Sequence, residues 1–324
     1  MNDYTPQTGP NSDITWERAT LEKLVLAQVN EAKASRRWRM IKSIVWLVLL
    51  ALFVYALMMS SPEKNKVAAL SAPHTALVNI HGEISADSEA SSENLLPSLR
   101  KAFEANGAQA VVLHIDSPGG SPVQAGIIND EIKRLKTKYN KKVIVVVGDM
   151  CASAAYYIAA SADEIYVDKA SLVGSIGVLM DGFGFTGTME KLGIERRLMT
   201  AGSSKGMLDP FSPLKPEDAA HVQTMLDQIH VQFINVVKAG RGKRLIETED
   251  TFSGKFWTGQ ESIRLGLADH LGNVDSVARD VVKAEEVVDY TQSPNVAERL
   301  AKKFGASVGA GAYKAALEHG NLIR

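Results

Sequence analysis

Five β-branched residues in a row, Val143-Ile144-Val145-Val146-Val147, restrict the fold more than any other feature of the chain. Branching at Cβ stiffens χ1 and favours extended backbone. Successive side chains of a strand point to opposite faces, so an unbroken apolar run has both faces to bury. That requirement suits a mainly parallel sheet covered by helices on each side. The sequence from Thr75 onward agrees, with short apolar runs alternating with segments of helical periodicity. Ala76 to His81, Ala110 to Asp116, Lys142 to Gly148, Glu164 to Val167, Ile176 to Leu179 and Ile194 to Met199 read as strands. Glu93 to Ala105, Val123 to Tyr139, Ser153 to Ser161, Thr186 to Leu192, Lys215 to Val237 and Asn273 to Lys283 read as helices. The expected class is α/β.

A chain of 324 residues, 45% hydrophobic and 23% charged, can bury a sizeable core. A formal net charge of −1 gives no global attraction for nucleic acid, and none is expected as a partner. The single cysteine, Cys151, excludes an intrachain disulfide and any multi-cysteine metal site.

Charge clusters in one place. Lys33, Arg36, Arg37, Arg39 and Lys42 precede an apolar run from Ile44 to Met59, with no acidic residue between Ala32 and Pro62. Counted from Ile41, the stretch makes roughly 28 Å of helix, about one hydrocarbon thickness. A basic flank before the run and a near-neutral one after it put the N-terminus in the cytoplasm and the residues beyond 60 outside. The stretch of about 40 residues before the apolar run is far too long for the n-region of an ordinary cleavable signal peptide, and Met58-Met59-Ser60-Ser61-Pro62 offers no convincing small-x-small cleavage site. The organisation expected is a cytoplasmic tail with an amphipathic helix over 1–40 and a transmembrane anchor over 41–59. A linker over 60–74, an α/β domain over 75–290 and a tail of unassigned role over 291–324 follow.

Ser153 lies where the apolar run gives way to a helix, in Met150-Cys151-Ala152-Ser153-Ala154-Ala155-Tyr156-Tyr157. A hydroxyl at a strand-to-helix turn sits beside unpaired helix N–H groups able to receive an oxyanion, which makes Ser153 a candidate nucleophile. Asp116-Ser117-Pro118-Gly119-Gly120 also joins an expected strand to an expected helix. Its glycines suit half of an oxyanion hole, a phosphate cradle or a plain tight turn, although the run has neither the Walker nor the Gly-x-Gly-x-x-Gly spacing. The base is harder to find. None of His74, His81, His114, His221, His230, His270 and His319 lies in a Gly-rich turn, and a Ser-His-Asp triad stays open on spacing alone. Lys205, in Gly202-Ser203-Ser204-Lys205-Gly206, is either a solvated loop lysine or a base, and burial would favour the neutral form a base requires.

Taken together these segments resemble the signal peptide peptidase A family in its short, single-repeat form, over about residues 75 to 285. The resemblance rests on Asp116 to Gly120, Ala152-Ser153 with Tyr156-Tyr157-Ile158-Ala159, and Gly174-Ser175-Ile176-Gly177-Val178. It extends to Gly202 to Lys205 with Pro210-Phe211-Ser212-Pro213, and to Trp257-Thr258-Gly259 leading to Gly266-Leu267-Ala268-Asp269. It implies a Clp protease and crotonase-like fold of stacked ββα units behind one N-terminal transmembrane helix, and a Ser-Lys dyad protease. Carried over by position, Ser153 is the nucleophile, Lys205 the general base, Ser175 the residue that orients the lysine, and the Gly120 and Ala154 N–H groups the oxyanion hole. No cofactor or metal is implied. The implied setting is the bacterial inner membrane with the catalytic domain periplasmic. The implied substrates are cleaved signal peptides, and the implied assembly is a homo-oligomeric ring with shared active sites.

The sequence departs from the family in one respect: Ala154 and Ala155 follow the nucleophile where two glycines are common. Alanine keeps the N–H donor and is the better helix former. Cys151, two residues before Ser153, also admits a cysteine-protease reading. A crotonase-like acyl-CoA enzyme and a non-catalytic membrane scaffold are the alternatives from other classes.

Overall fold

The computed structural model describes residues 37–55 and 71–292, and the chain divides into two compact units, 1–65 and 66–324. In the first unit a single helix, α1 (Arg37–Tyr55), is long and apolar enough to cross a membrane, the one such helix among the described residues. Its apolar side chains, Trp46, Leu50 and Phe53 among them, lie exposed. A helix apolar all round is suited to lipid rather than water. Residues 56–59 of the expected anchor, the expected amphipathic helix before it, the linker up to residue 70 and the tail from residue 293 lie outside the described residues.

The second unit is an eight-stranded sheet with helices packed on it. Its elements in chain order begin with β1 (His74–His81), α2 (Ser92–Glu104), β2 (Ala108–Ser117), α3 (Pro122–Tyr139), β3 (Val143–Ala152), α4 (Ala154–Ala159), β4 (Glu164–Val167) and β5 (Leu172–Gly174). They continue with α5 (Thr186–Lys191), α6 (Pro216–Arg241), β6 (Phe256–Thr258), α7 (Gly259–Arg264), β7 (His270–Leu271), α8 (Val274–Ser276), running into a π-turn at Val277–Val282, and β8 (Val287–Asp289). The strand order is β6-β5-β3-β2-β1-β8, with β4 between β3 and β7. Every pair is parallel except β5 with β6.

The β-branched run behaves as its composition demands. Val143, Val145 and Val147 enter the main core with Leu99 and Phe103 of α2, Ile128 and Ile132 of α3 and Tyr156 of α4. Ile144 and Val146 enter a smaller cluster with Val112, Tyr166 and Val277 on the other face. Local signals close the helices: Ser91 and Ser121 accept the Asn94 and Gln124 N–H groups at the starts of α2 and α3, and Asn140 ends α3 in the left-handed region.

Strand β3 runs on to Ala152, beyond the Gly148 limit read from the sequence. Its register with β2 passes from Ile115 opposite Val147 to Ser117 opposite Cys151, so β3 carries a bulge at Gly148–Met150. Before the bulge β3 pairs with β4, and from Met150 onward it pairs with β5. Gly148-Asp149 has the look of a strand stop, which hides the continuation. Two expected strands are absent. Ile176–Leu179 follows the true strand β5, and Ile194–Met199 is exposed and unpaired, its apolar residues lacking any sheet neighbour in this protomer.

Candidate active site

Ser153 is the one residue between β3 and α4, and it sits at φ 52°, ψ −125°. A non-glycine residue held there costs on the order of 1–3 kcal/mol, and such strain persists only where surrounding structure over-determines it. Its own N–H donates to the Gly174 carbonyl at 2.9 Å, and its carbonyl accepts from Tyr157 at 3.0 Å. The helix that follows is fixed in the core: Tyr156 is buried and donates to the Leu267 carbonyl at 2.7 Å, and Tyr157 packs on Phe233 of α6 with ring centroids 5.2 Å apart. The result is a strained strand-to-helix elbow with the serine half-exposed at its tip.

The glycine loop is pressed against this elbow. A Cβ on Gly119 (φ 106°) would fall 2.7 Å from the Ala152 carbonyl oxygen and from Ser153 Cβ, and 2.9 Å from Ala154 N. A Cβ on Gly120 (φ 143°) would run into the Ile84 carbonyl. The loop is stitched by Ile84 N–H to Gly119 O (2.8 Å), Ser121 N–H to Ile84 O (2.7 Å) and Gly119 N–H to Ser117 Oγ (3.1 Å). These bonds leave the Gly120 N–H without an acceptor among the described residues, and the Ala154 N–H, first in α4, is likewise free. The close approach of backbone to Ser153 explains the paired glycines better than a tight turn alone. A phosphate cradle is disfavoured because Ser121 already caps α3. Ile84 is a loop-fixing residue with no local sequence signal, since its partners are all distant backbone atoms.

Ser175 follows β5 as Ser153 follows β3. Ala152 and Gly174 are register partners, so the two serines emerge side by side from neighbouring strands. Ser175 also has positive φ (51°), with its N–H on the Lys255 carbonyl at 2.8 Å and its carbonyl accepting from Gly177 at 2.9 Å.

The structure thus brings Ser153, Ala154, Ser175 and the Gly119–Gly120 loop together. It does not bring Lys205 to them. Lys205 lies in an exposed run of turns, and its side chain makes no hydrogen bond or ion pair with Ser153 or Ser175. From Leu179 to Glu217 no residue is buried, α5 included.

No histidine among the described residues bonds Ser153. The His230 Nε2 is engaged by the Ile176 carbonyl at 3.2 Å, and the His74 ring by Tyr290 and the Ala72 carbonyl. The His114 Nδ1 meets Asn79 at 3.1 Å, and burial pushes the His114 pKa down against the opposing pull of Asp116. His319 lies outside the described residues. Cys151 is fully buried, and burial pushes its thiol far above the range in which a thiolate forms, which removes the cysteine-nucleophile reading.

Residues 135–288 match the family model of peptidase family S49. Over that segment, just under half of its length, the chain is similar to peptidase family S49. It is 33% identical over 205 residues to a putative protease of Methanocaldococcus jannaschii, covering 63% of each chain. To a putative signal peptide peptidase of Enterococcus faecium it is 28% identical over 199 residues, covering 61% of this chain and 58% of that one. A Na(+)/H(+) antiporter of Brucella abortus is 47% identical over 181 residues, 56% of this chain and only 25% of the antiporter. The chain therefore spans less than two thirds of each of these relatives, and the antiporter's name describes a protein of which three quarters lie outside the match. The S49 match, with the SppA-type relatives, agrees with the α/β fold class and with the family resemblance carried by the sequence motifs.

Proposed function

We propose that this chain is a membrane-bound serine endopeptidase with Ser153 as nucleophile and Lys205 as general base. The observation that carries the reading is the Ser153 elbow at φ 52°, ψ −125°, with the glycine loop packed against it and two N–H groups unclaimed beside it. Lys205, as the base, takes the Ser153 Oγ proton as that oxygen attacks a peptide carbonyl. The Gly120 and Ala154 N–H groups receive the oxyanion, Lys205 protonates the departing amine, and water hydrolyses the acyl-enzyme by the same route. Ser175, beside Ser153, orients the lysine amine.

Lys205 makes no side-chain hydrogen bond or ion pair with this constellation within one protomer, and the exposed segment that carries it presents uncovered apolar side chains: Leu179, Phe183 and Met199 are 81%, 78% and 92% exposed. An exposed apolar surface of this kind supports an interface, and the reading assigns it to neighbouring copies in a ring that share active sites. With α1 as anchor, the N-terminus cytoplasmic and the domain on the far side of a bacterial inner membrane, the substrates proposed are cleaved signal peptides left in the bilayer. A crotonase-like thioester enzyme would use the paired N–H groups but has no need of a serine strained into the elbow. The test is hydrolysis of an apolar fluorogenic peptide by the full-length protein. Ser153→Ala and Lys205→Ala should each lower kcat at least about 10³-fold, and retention of activity by both would refute the assignment.

A further inference from the structure

We propose that Asp116 is a positioning residue that ties together the two halves of the oxyanion site, a reading that rests on Ser153 as nucleophile. The proposed donors come from different strands: Gly120 follows β2, and Ala154 follows β3. Between the register pairs Ile115–Val147 and Ser117–Cys151, Asp116 alone faces Gly148, Asp149 and Met150. The extra peptide groups of a bulge lose their ladder partners and must find others. Met150 N–H finds the Asp116 carboxylate, at 3.1 Å from Oδ1. Gly148 provides the room, because a Cβ there would sit 3.1 Å from Asp116 Cβ and 3.3 Å from its Cγ.

The same stretch of β2 also fixes the glycine loop. The Asp116 carbonyl accepts Gly82 N–H at 2.9 Å, and the adjacent Ser117 hydroxyl accepts Gly119 N–H at 3.1 Å. Asp116 and Ser117 therefore set Met150, three residues before Ser153, and Gly119, one residue before Gly120. The second carboxylate oxygen has the exposed His81 Nδ1 at 3.5 Å, and His114 is held on Asn79. Neither competes for the Met150 N–H. Without the tie the bulge is free to relax, and Ala154 shifts relative to Gly120 by the fraction of an ångström that oxyanion stabilisation does not tolerate.

The test is steady-state hydrolysis of an apolar fluorogenic peptide by full-length Asp116→Ala, Asp116→Asn and Gly148→Ala proteins, with Ser153→Ala alongside. Asp116→Ala should lose about 10²-fold in kcat with KM within about twofold, because misplacement acts on the transition state rather than on ground-state binding. Asp116→Asn keeps a carbonyl oxygen for the Met150 N–H and should recover activity to within about fivefold of wild type. Gly148→Ala displaces the same carboxylate from the other side and should lose kcat as Asp116→Ala does. If Asp116→Ala does not fold, Asp116→Asn and Gly148→Ala carry the test. Wild-type kcat in Asp116→Ala or Gly148→Ala, an Asn variant no better than Ala, or a loss confined to KM overturns the proposal. An active Ser153→Ala protein would instead overturn the nucleophile assignment itself.

Discussion

The ends of β3 and β5 and the segment from Leu179 to Glu217 lie in one domain yet are built on opposite terms. At the strand ends and the adjoining glycine loop, Ser153, Ser175, Gly119, Gly120 and Gly174 are held at positive φ, the Ser153 and Ser175 N–H groups are bonded, and the helix behind Ser153 is buried in the main core. In the Lys205 segment nothing is buried, and large apolar side chains face outward. The contrast teaches where the fold spends its rigidity. On the proposed reading, the groups that would meet an oxyanion are fixed by the core of one protomer, whereas the proposed base lies on an exposed segment whose environment assembly would supply.

Substitutions can sharpen that contrast. The largest effect expected beyond loss of the nucleophile is that of Gly119→Ala. Its Cβ would collide with Ser153 and Ala152, and kcat should fall about 10²–10³-fold, as on loss of an oxyanion donor. A Gly119→Ala enzyme with wild-type kcat would break the claim that the glycine loop and the elbow are in obligate contact.

Next is the support behind the elbow. Arg241, 1% exposed, makes a bidentate pair with Asp269 at 2.8 and 2.9 Å, close to the Leu267 carbonyl that Tyr156 holds. Burial tends to raise the Asp269 pKa, but the Arg241 bonds outweigh it and hold the carboxyl below its ordinary value. A depressed folded pKa contributes stability that is present above the unfolded value of about 3.9 and is lost as pH falls through the folded one. Thermal midpoints measured from pH 6 downward should therefore drop below about pH 4 in the wild type. Asp269→Asn should be less stable at neutral pH by about 3 kcal/mol and should show a shallower acid drop. An acid profile as steep in Asp269→Asn as in the wild type would contradict this.

The smallest effect on folding belongs to the exposed segment. Leu179→Ser with Met199→Ser should leave unfolding free energy within about 0.5 kcal/mol of wild type, as surface substitutions do, yet weaken self-association in analytical ultracentrifugation. A large drop in stability with assembly intact would mean that the segment packs within its own protomer.

What the sequence made legible follows the same division. The two-faced burial of Val143–Val147 could be read because side-chain chemistry alone fixes it. Ser153 was legible as a turn between an apolar run and a helix. The reach of β3 to Ala152 was not, because Gly148-Asp149 looks like a breaker and the partner that repairs the bulge, Asp116, is distant in sequence. Ile194 to Met199 has a strand's composition without a strand's neighbours. The positive φ of Ser153 and Ser175 arises from tertiary restraint, which no local pattern encodes. The proposed place of Lys205 in the site rests on family resemblance, and no side-chain hydrogen bond or ion pair among the described residues links it to Ser153.

The most direct test of the central claim mixes two inactive full-length proteins, Ser153→Ala and Lys205→Ala, carrying different affinity tags, and assays the doubly purified mixed oligomers. A site shared between copies predicts recovered hydrolysis, because the intact Ser153 of one copy meets the intact Lys205 of its neighbour. Mixed oligomers without activity, beside active wild-type oligomers prepared in the same way, would contradict it.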